Sequence, residues 1–227
     1  MNPLPDCILC PLGTQGRRWT VPGAGPVPST VMLVGEAPGA EEDATAVPFV
    51  GASGRKLRES LVRLGYDPDQ MYITNLVKCR PPQNRDPLQV EVDICTAHFL
   101  RLEIATVNPQ VIVAVGRYAL GHFLLGGAIS DAHGKPRWVG GRVLLPVYHP
   151  AATLYSPQME TVFQADLAAL TAALELARYG DRVVRVNDGI APRASVVALD
   201  TETRIRDGQI VCYSTAVSGE EAWVEKR

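Results

Sequence analysis

Four of the five cysteines have a spacing that suits a metal. Cys7 and Cys10 form a Cys-x-x-Cys pair, which puts two thiolates on one turn, and Cys79 and Cys95 add two more. The start of the chain lacks the basic and apolar regions of a secretory signal. An odd cysteine count without such a signal argues for a reducing compartment rather than a disulfide framework. Four soft thiolates suit zinc or an iron–sulfur cluster. The competing reading is a redox pair at Cys7 and Cys10, with Cys79 and Cys95 as ordinary core residues.

A second group of residues has chemistry of another kind. Asn75 can offer both a donor and an acceptor from one amide, which matches the edge of a nucleobase. His149, fixed beside Pro150, can donate to an oxygen that gains charge during a reaction. Phe49 lies in the loop Val47-Pro48-Phe49-Val50-Gly51, outside any periodic apolar pattern, and suits a stacking platform. Glu36, Glu41, Glu42 and Asp43 crowd together just after Gly35. Each residue alone has an ordinary reading: a strand-end cap, a loop histidine, a core plug. Their convergence at one end of one set of strands makes them candidates for a site.

The elements that must position them are legible as apolar runs. Thr30–Gly35, Met71–Asn75, Gln110–Val115 and Val143–Tyr148 read as buried strands. A helix is expected over Ser53–Leu64, with Ser53 as its N-cap and Gly65 just past its end. A long helix after Pro87 has Leu88, Val92, Cys95, Phe99 and Leu102 on one face. A short helix is expected over Arg117–Leu125. A last helix shows Phe163, Leu167, Leu170, Leu174 and Ala177 before Gly180. Strands alternating with helices predict an α/β fold, a three-layer α/β/α arrangement around a four-stranded, mainly parallel sheet. In such sheets ligands bind at the carboxyl ends of the strands, where Gly35-Glu36, Asn75 and His149-Pro150 fall.

Composition sets the outer limits. The chain has 227 residues, 46% hydrophobic and 20% charged, with a formal net charge of −2. That is the make-up of a globular chain with a core. No apolar run reaches the roughly 18 residues of a membrane span. The acidic balance argues against a general basic coat for nucleic acid. A local grip on phosphates by Arg55, Lys56, Arg58, Lys78, Arg80, Arg85, Lys135 and Arg137 remains open. Residues 1–180 are expected to form one domain with an irregular cysteine-bearing arm. Residues 181–194 read as a linker, and 195–227 as a short β segment with strands at Ser195–Asp200, Ile210–Tyr213 and Ala222–Val224.

The motifs Gly35-Glu-Ala-Pro-Gly39 with Glu42-Asp43, Pro48-Phe-Val-Gly51, Ile73-Thr-Asn-Leu-Val-Lys-Cys-Arg-Pro-Pro82 with Asn84-Arg85, and Tyr148-His-Pro-Ala-Ala152 resemble those of the family-4 uracil-DNA glycosylases. These are the iron–sulfur members of the uracil-DNA glycosylase superfamily. The resemblance runs from Cys7 to about residue 178. It implies that Cys7, Cys10, Cys79 and Cys95 hold a [4Fe–4S] cluster, with zinc as the alternative. It implies that Phe49 stacks on a flipped uracil, that Asn75 reads N3 and O4, and that His149 donates to O2 of the leaving base. The backbone from Gly35 through Glu36 to Ala37 would help hold O2. Related enzymes have Asp where this chain has Ala37, so Glu36 and Glu42 are the candidates to activate water. Glu42 or the Gly39 loop is the candidate wall against the 5-methyl group of thymine.

The implied activity is hydrolysis of the N-glycosidic bond of deoxyuridine in single- or double-stranded DNA, by a monomeric enzyme of base excision repair. Its expected place is the cytoplasm of a prokaryotic or phage-infected cell, with no membrane partner. The alternative is a catalytically weak uracil reader attached to a DNA polymerase. The subgroup that bonds covalently to the abasic sugar carries a Gln at the position of Ala37 and a basic insertion ending in His, and this chain has neither. Val197-Ala-Leu-Asp200-Thr-Glu202-Thr203 resembles the first motif of the 3′–5′ exonuclease domain of family-A DNA polymerases. The resemblance implies a vestigial metal site at Asp200 and Glu202, and a DNA polymerase in cis in the full gene product.

Overall fold

The computed structural model describes residues 7–154 and 156–179, together with two short strands at 204–206 and 209–211. Its centre is a five-stranded sheet of β1 (Val31–Gly35), β2 (Tyr72–Asn75), β3 (Val111–Val115), β4 (Arg137–Val139) and β5 (Arg142–Val147). The order is β2-β1-β3-β5-β4, with β2, β1, β3 and β5 parallel and β4 antiparallel at the edge. The four parallel strands match the four expected runs to within a residue or two. Every residue of β1, β2 and β3 is buried, as expected for strands covered on both faces.

The fifth strand is an addition to the expected four. It has three residues, each half-buried, so no alternation marks it. The signal that could have found it is Gly140-Gly141, both at positive φ (57° and 80°), which makes a tight two-residue hairpin into β5.

The helices are α1 (Ala40–Thr45), α2 (Ala52–Arg63), α3 (Gln89–Cys95), α4 (Arg101–Val107), α5 (Arg117–Phe123), α6 (Ile129–Ala132), α7 (Pro157–Ala168) and α8 (Leu170–Tyr179). One face of the sheet presents Met32, Val34, Ile112, Ala114 and Leu144 to a core completed by Val92, Cys95, Leu100, Val107, Ala119 and Leu120. On the other side α2 and α7 touch each other, and α7 also touches β5. Leu57, Leu61, Phe163 and Leu167 are buried there.

Two local readings need correction. α2 is capped by Gly51 rather than Ser53, because the Gly51 amide is already held by Glu42 and its carbonyl receives the Arg55 amide. The long helix after Pro87 keeps a helical backbone from α3 into α4, but a π-turn at Thr96–Leu100 lies within it. A π-turn inserts a residue into the helical repeat and rotates the next turns about the helix axis. The buried face therefore passes from Val92 and Cys95 to Leu100, Glu103 and Val107, and leaves Leu102 exposed.

The chain divides into two compact units, residues 1–173 and 174–227. The first holds the sheet and the cleft at its carboxyl edge. Within the second, β6 (Arg204–Arg206) and β7 (Gln209–Val211) pair antiparallel. Asp200, Glu202 and the expected strands at 195–200 and 222–224 lie outside the described residues. No described helix is long and apolar enough to cross a membrane.

Candidate active site

The carboxyl ends of the parallel strands open into a cleft of about 480 Å³. Glu36, Ala37, Phe49, Asn75 and His149 line it from the sheet side, and the 81–86 loop closes it with Pro81, Asn84, Arg85 and Asp86. Gly35 and Asn75, the last residues of β1 and β2, are paired in register. The sheet thus sets the two motifs side by side. A Cβ on Gly35 would fall 2.4 Å from Phe49 Cζ and 2.5 Å from Asn75 Oδ1. A side chain cannot fit there, so only glycine lets the ring and the amide meet over the strand end.

Phe49 sits at φ 56°, a backbone state that costs an L-residue about 1–3 kcal/mol and persists only when neighbours enforce it. They do so from three sides. Arg58 Nε donates to the Phe49 carbonyl at 3.2 Å. Glu42 Oε1 accepts from the amides of Val50 (3.0 Å) and Gly51 (2.7 Å). Gly54 leaves room for the Phe49 backbone, where a Cβ would come within 2.1 Å of its carbonyl carbon. The second oxygen of Glu42 accepts from Gly39 N at 3.1 Å. Both oxygens of this buried carboxylate are therefore occupied by backbone amides. Glu42, one of the two acids expected to activate water, lines the cleft and also ties the 36–39 loop to the 48–51 loop.

Glu36 also faces the cleft. Among the described residues its carboxylate has no hydrogen bond to the protein. Burial, followed by the nearby negative charge of Asp86, pushes its pKa up to about 7, against a weaker opposite pull from Arg117. Asp86 is held at the rim by Arg117 Nη2 at 3.1 Å and by a short bond from the Tyr118 hydroxyl. None of these three stands out in the sequence as a candidate for chemistry, since nothing in a lone Asp-Pro turn or an Arg-Tyr helix start marks it.

His149 is fixed by its own loop. Its Nδ1 accepts from the Ala151 amide at 3.2 Å, which leaves the proton on Nε2. Burial lowers its pKa to about 4, so it is a neutral imidazole at physiological pH. Gly116, at φ 91°, supports it from beneath, and a Cβ there would lie 3.1 Å from His149 Cβ. The preceding Tyr148 amide donates to Asp166 Oδ2 at 3.0 Å, and the other oxygen of Asp166 bonds His133 Nδ1 at 2.7 Å.

The four cysteines converge in a second place. Cys79 and Cys95 are buried and Cys7 and Cys10 half-buried, with Cys10 packed on the same core as Cys79 and Cys95. Burial raises the Cys79 thiol to about 12 and the Cys95 thiol to about 11, and the other cysteines add to both shifts. The four sulfurs therefore share one field. Among the described residues no three His, Cys, Asp or Glu are drawn tightly enough for a single metal ion. The arm is pinned by Arg17 Nη2 donating to the Cys7 carbonyl at 2.8 Å, and by Asp43 accepting the Arg18 and Trp19 amides.

The expected basic grip is also revised. Lys78 is buried in an ion pair with Glu103 at 2.6 Å and is closed to phosphate. Lys56 pairs with Glu160 at 2.6 Å. Arg85 remains on the cleft wall, with both terminal nitrogens on Glu91.

The model of the uracil DNA glycosylase superfamily matches residues 22–174, which include every cleft residue described above. The chain belongs to the uracil-DNA glycosylase superfamily. It is 40% identical over 171 residues to a type-4 uracil-DNA glycosylase of Archaeoglobus fulgidus, covering 71% of this chain and 84% of that protein. It is 43% identical over 151 residues to the type-4 enzyme of Thermotoga maritima, covering 65% and 78%. A DNA polymerase of Bacillus phage SP01 is 30% identical over 154 residues, covering 67% of this chain and 17% of the polymerase.

Proposed function

We infer that this chain is a uracil-DNA glycosylase of DNA repair, which cleaves the N-glycosidic bond of deoxyuridine in DNA. The observation that carries the reading is the junction at the sheet edge. Gly35 and Asn75 are paired, Phe49 lies against both, and His149 faces the same cleft as a neutral donor.

The target carbon, C1′, is hidden inside a duplex, so the nucleotide must be extruded at a cost of about a few kcal/mol. The cleft supplies an apolar wall at Phe49 to replace the lost stacking. The Asn75 amide has no protein partner among the described residues and takes N3–H and O4. Cytosine, which reverses that donor and acceptor order, leaves the amide mispaired. The Pro38–Gly39 loop, held by Glu42, is the wall that meets a thymine methyl. Cleavage leaves a cation-like sugar and a uracil anion. His149 Nε2–H donates to O2 as that charge grows. A neutral imidazole suits this task, because it keeps its proton while still stabilising the anion. An ionised Glu36 stabilises the cationic sugar and orients the water that attacks C1′.

The second part of the reading is the cluster. Zinc holds four thiolates at about 2.3 Å each. What supports a [4Fe–4S] cluster over zinc is the likeness to type-4 uracil-DNA glycosylases, together with four cysteines brought to one place. Cys7, Cys10, Cys79 and Cys95 would hold it. Its contribution would be to tie the arm, the segment after Asn75 and α3 together, since metal-binding energy is folding energy where thiols must deprotonate to ligate. The likeness to a phage polymerase supports a longer gene product with a polymerase in cis, in which Asp200 and Glu202 would begin an exonuclease domain.

Uracil release from a labelled oligonucleotide tests the activity, with Asn75→Asp as the control for base reading. The variant should relax base choice, because an ionised carboxylate cannot donate to O4. No uracil release from protein prepared anaerobically would overturn the enzyme reading in favour of a uracil reader.

A further inference from the structure

Lys78 has no part in the chemistry above, yet it is 4% exposed and bonded to the base-reading strand, to α3 and to α4. Its ammonium donates to Glu103 Oε2 at 2.6 Å, to Thr74 Oγ1 at 2.6 Å and to the carbonyl of Asn75 at 2.7 Å. Glu103, 1% exposed, also accepts from the Thr74 hydroxyl at 3.0 Å, the Gly23 amide at 3.1 Å and the Tyr72 hydroxyl at 3.4 Å. The backbone of Lys78 makes two further bonds. Its N–H donates to Cys95 Sγ at 3.3 Å, and its carbonyl accepts from Val21 N at 2.6 Å.

A buried ion pair is a poor device for stability alone, because the loss of hydration offsets most of the attraction and an apolar pair of similar volume does as well. What the pair supplies here is direction. Asn75 is the last residue of β2, at the end of the ladder with β1. Its carbonyl is taken by an ammonium whose own position is set by Glu103 from α4. A hydrogen-bonding amide must be held within about 0.5 Å and 10–20° of its working geometry to discriminate well. A rotation of the Asn75 peptide would swing the amide away from the base edge.

We propose that Lys78, anchored by Glu103, is a positioning residue for base recognition: it fixes the Asn75 carbonyl and thereby the angle at which the Asn75 amide meets uracil. The proposal rests on the assignment of base reading to Asn75.

Lys78→Met removes the ammonium but keeps the backbone bonds to Cys95 and Val21, so the cysteine site keeps its contacts. It also leaves Glu103 buried without a counter-charge, a loss that can unfold a chain by itself. The double variant Lys78→Met/Glu103→Gln avoids this. The glutamine oxygen still accepts from Gly23 and Tyr72, and its amide donates to the Thr74 hydroxyl.

Single-turnover uracil release, inhibition by free uracil, affinity for uracil-free DNA, iron content and melting temperature are measured on the metal-loaded full chain. The double variant should lose tenfold to a hundredfold in rate, roughly the weight of one charge-assisted hydrogen bond, and free uracil should inhibit it more weakly by a similar factor. Iron content and affinity for uracil-free DNA should match the wild type. A purely structural role would lower the folded fraction and the iron together and leave uracil inhibition of the folded fraction unchanged. That result, or a folded double variant with wild-type rate and inhibition, overturns the proposal. Asn75→Asp is run in parallel. If it leaves base choice unchanged, the reading of Asn75 fails and takes this proposal with it. If it alters base choice while the Lys78 variants do not, only the positioning role fails.

Discussion

The pH dependence of catalysis should be governed by Glu36 rather than by the histidine. Glu36 has a pKa near 7, raised by burial and by Asp86, and His149 lies near 4. At pH 6 about one-tenth of Glu36 is ionised and at pH 8 about nine-tenths, from the definition of a pKa near 7. Both proposed duties of Glu36, stabilising a cationic sugar and orienting water, need the carboxylate. The single-turnover rate should therefore rise about ninefold to tenfold between pH 6 and pH 8. His149 is already neutral across that range and adds no slope. Two variants separate the causes. Glu36→Gln should abolish the rise and leave a low, flat rate. Asp86→Asn removes the second cause of the shift and should move the midpoint toward lower pH, with the burial contribution left in place. The assay is uracil release under single-turnover conditions at constant ionic strength, since DNA affinity varies with salt. A flat wild-type profile from pH 6 to 8, or an unchanged rise in Glu36→Gln, would refute the role given to this carboxylate.

His149→Ala should slow single-turnover release by about 10²–10³-fold, the usual weight of one preorganised donor to a developing anion. Affinity for uracil-containing DNA, measured by anisotropy, should change little, because that bond strengthens only as the base departs. Gly35→Ala should cut activity at least as deeply while the chain still folds, because the new methyl would overlap Phe49 Cζ and Asn75 Oδ1. Gly121→Ala, at an exposed position of α5, meets no atom within 4 Å and should raise stability by about 0.5–1 kcal/mol with activity unchanged, as read by denaturant melts. Cys79→Ala and Cys95→Ala should each lose the iron and lower the melting temperature, as measured by elemental analysis and calorimetry. Stoichiometric zinc with no iron in anaerobically prepared wild type would overturn the cluster.

The residues legible in the sequence are those carried by continuous apolar strands. Gly35, Asn75 and His149 each end or follow such a run, and in a parallel sheet the ends of the runs must come together. The residues that escape are set by contacts between distant segments. Lys78 reads as one more cation of a basic stretch until Glu103, on α4, is seen beside it. Glu42 reads as one acid of four, and only the fold of the 48–51 loop reveals that its oxygens are taken. The face of the helix after Pro87 is misread from periodicity because a π-turn has no residue signature and shifts the repeat by one. Asp86 gains its place from Tyr118 and Arg117, thirty-odd positions away.

The charge of the cleft is explained by these pairings. Glu36, Glu41, Glu42 and Asp86 all line it, an odd wall for an enzyme that must receive a polyanion. The contradiction disappears when each acid is traced to its partner. Arg55 holds Glu41 at 2.7 Å, three backbone amides hold Glu42, and Arg117 and Tyr118 hold Asp86. Glu36 alone faces the cleft without such a partner among the described residues, and its raised pKa leaves it half-protonated near neutral pH. DNA therefore approaches acids that are mostly compensated, and the one charge that can still appear is the one proposed above to face the sugar. When the bond to uracil breaks, that sugar gains positive charge. A nearby cation favours the ionised form of a carboxylate, so the developing sugar charge and the Glu36 carboxylate that both proposed duties need stabilise each other.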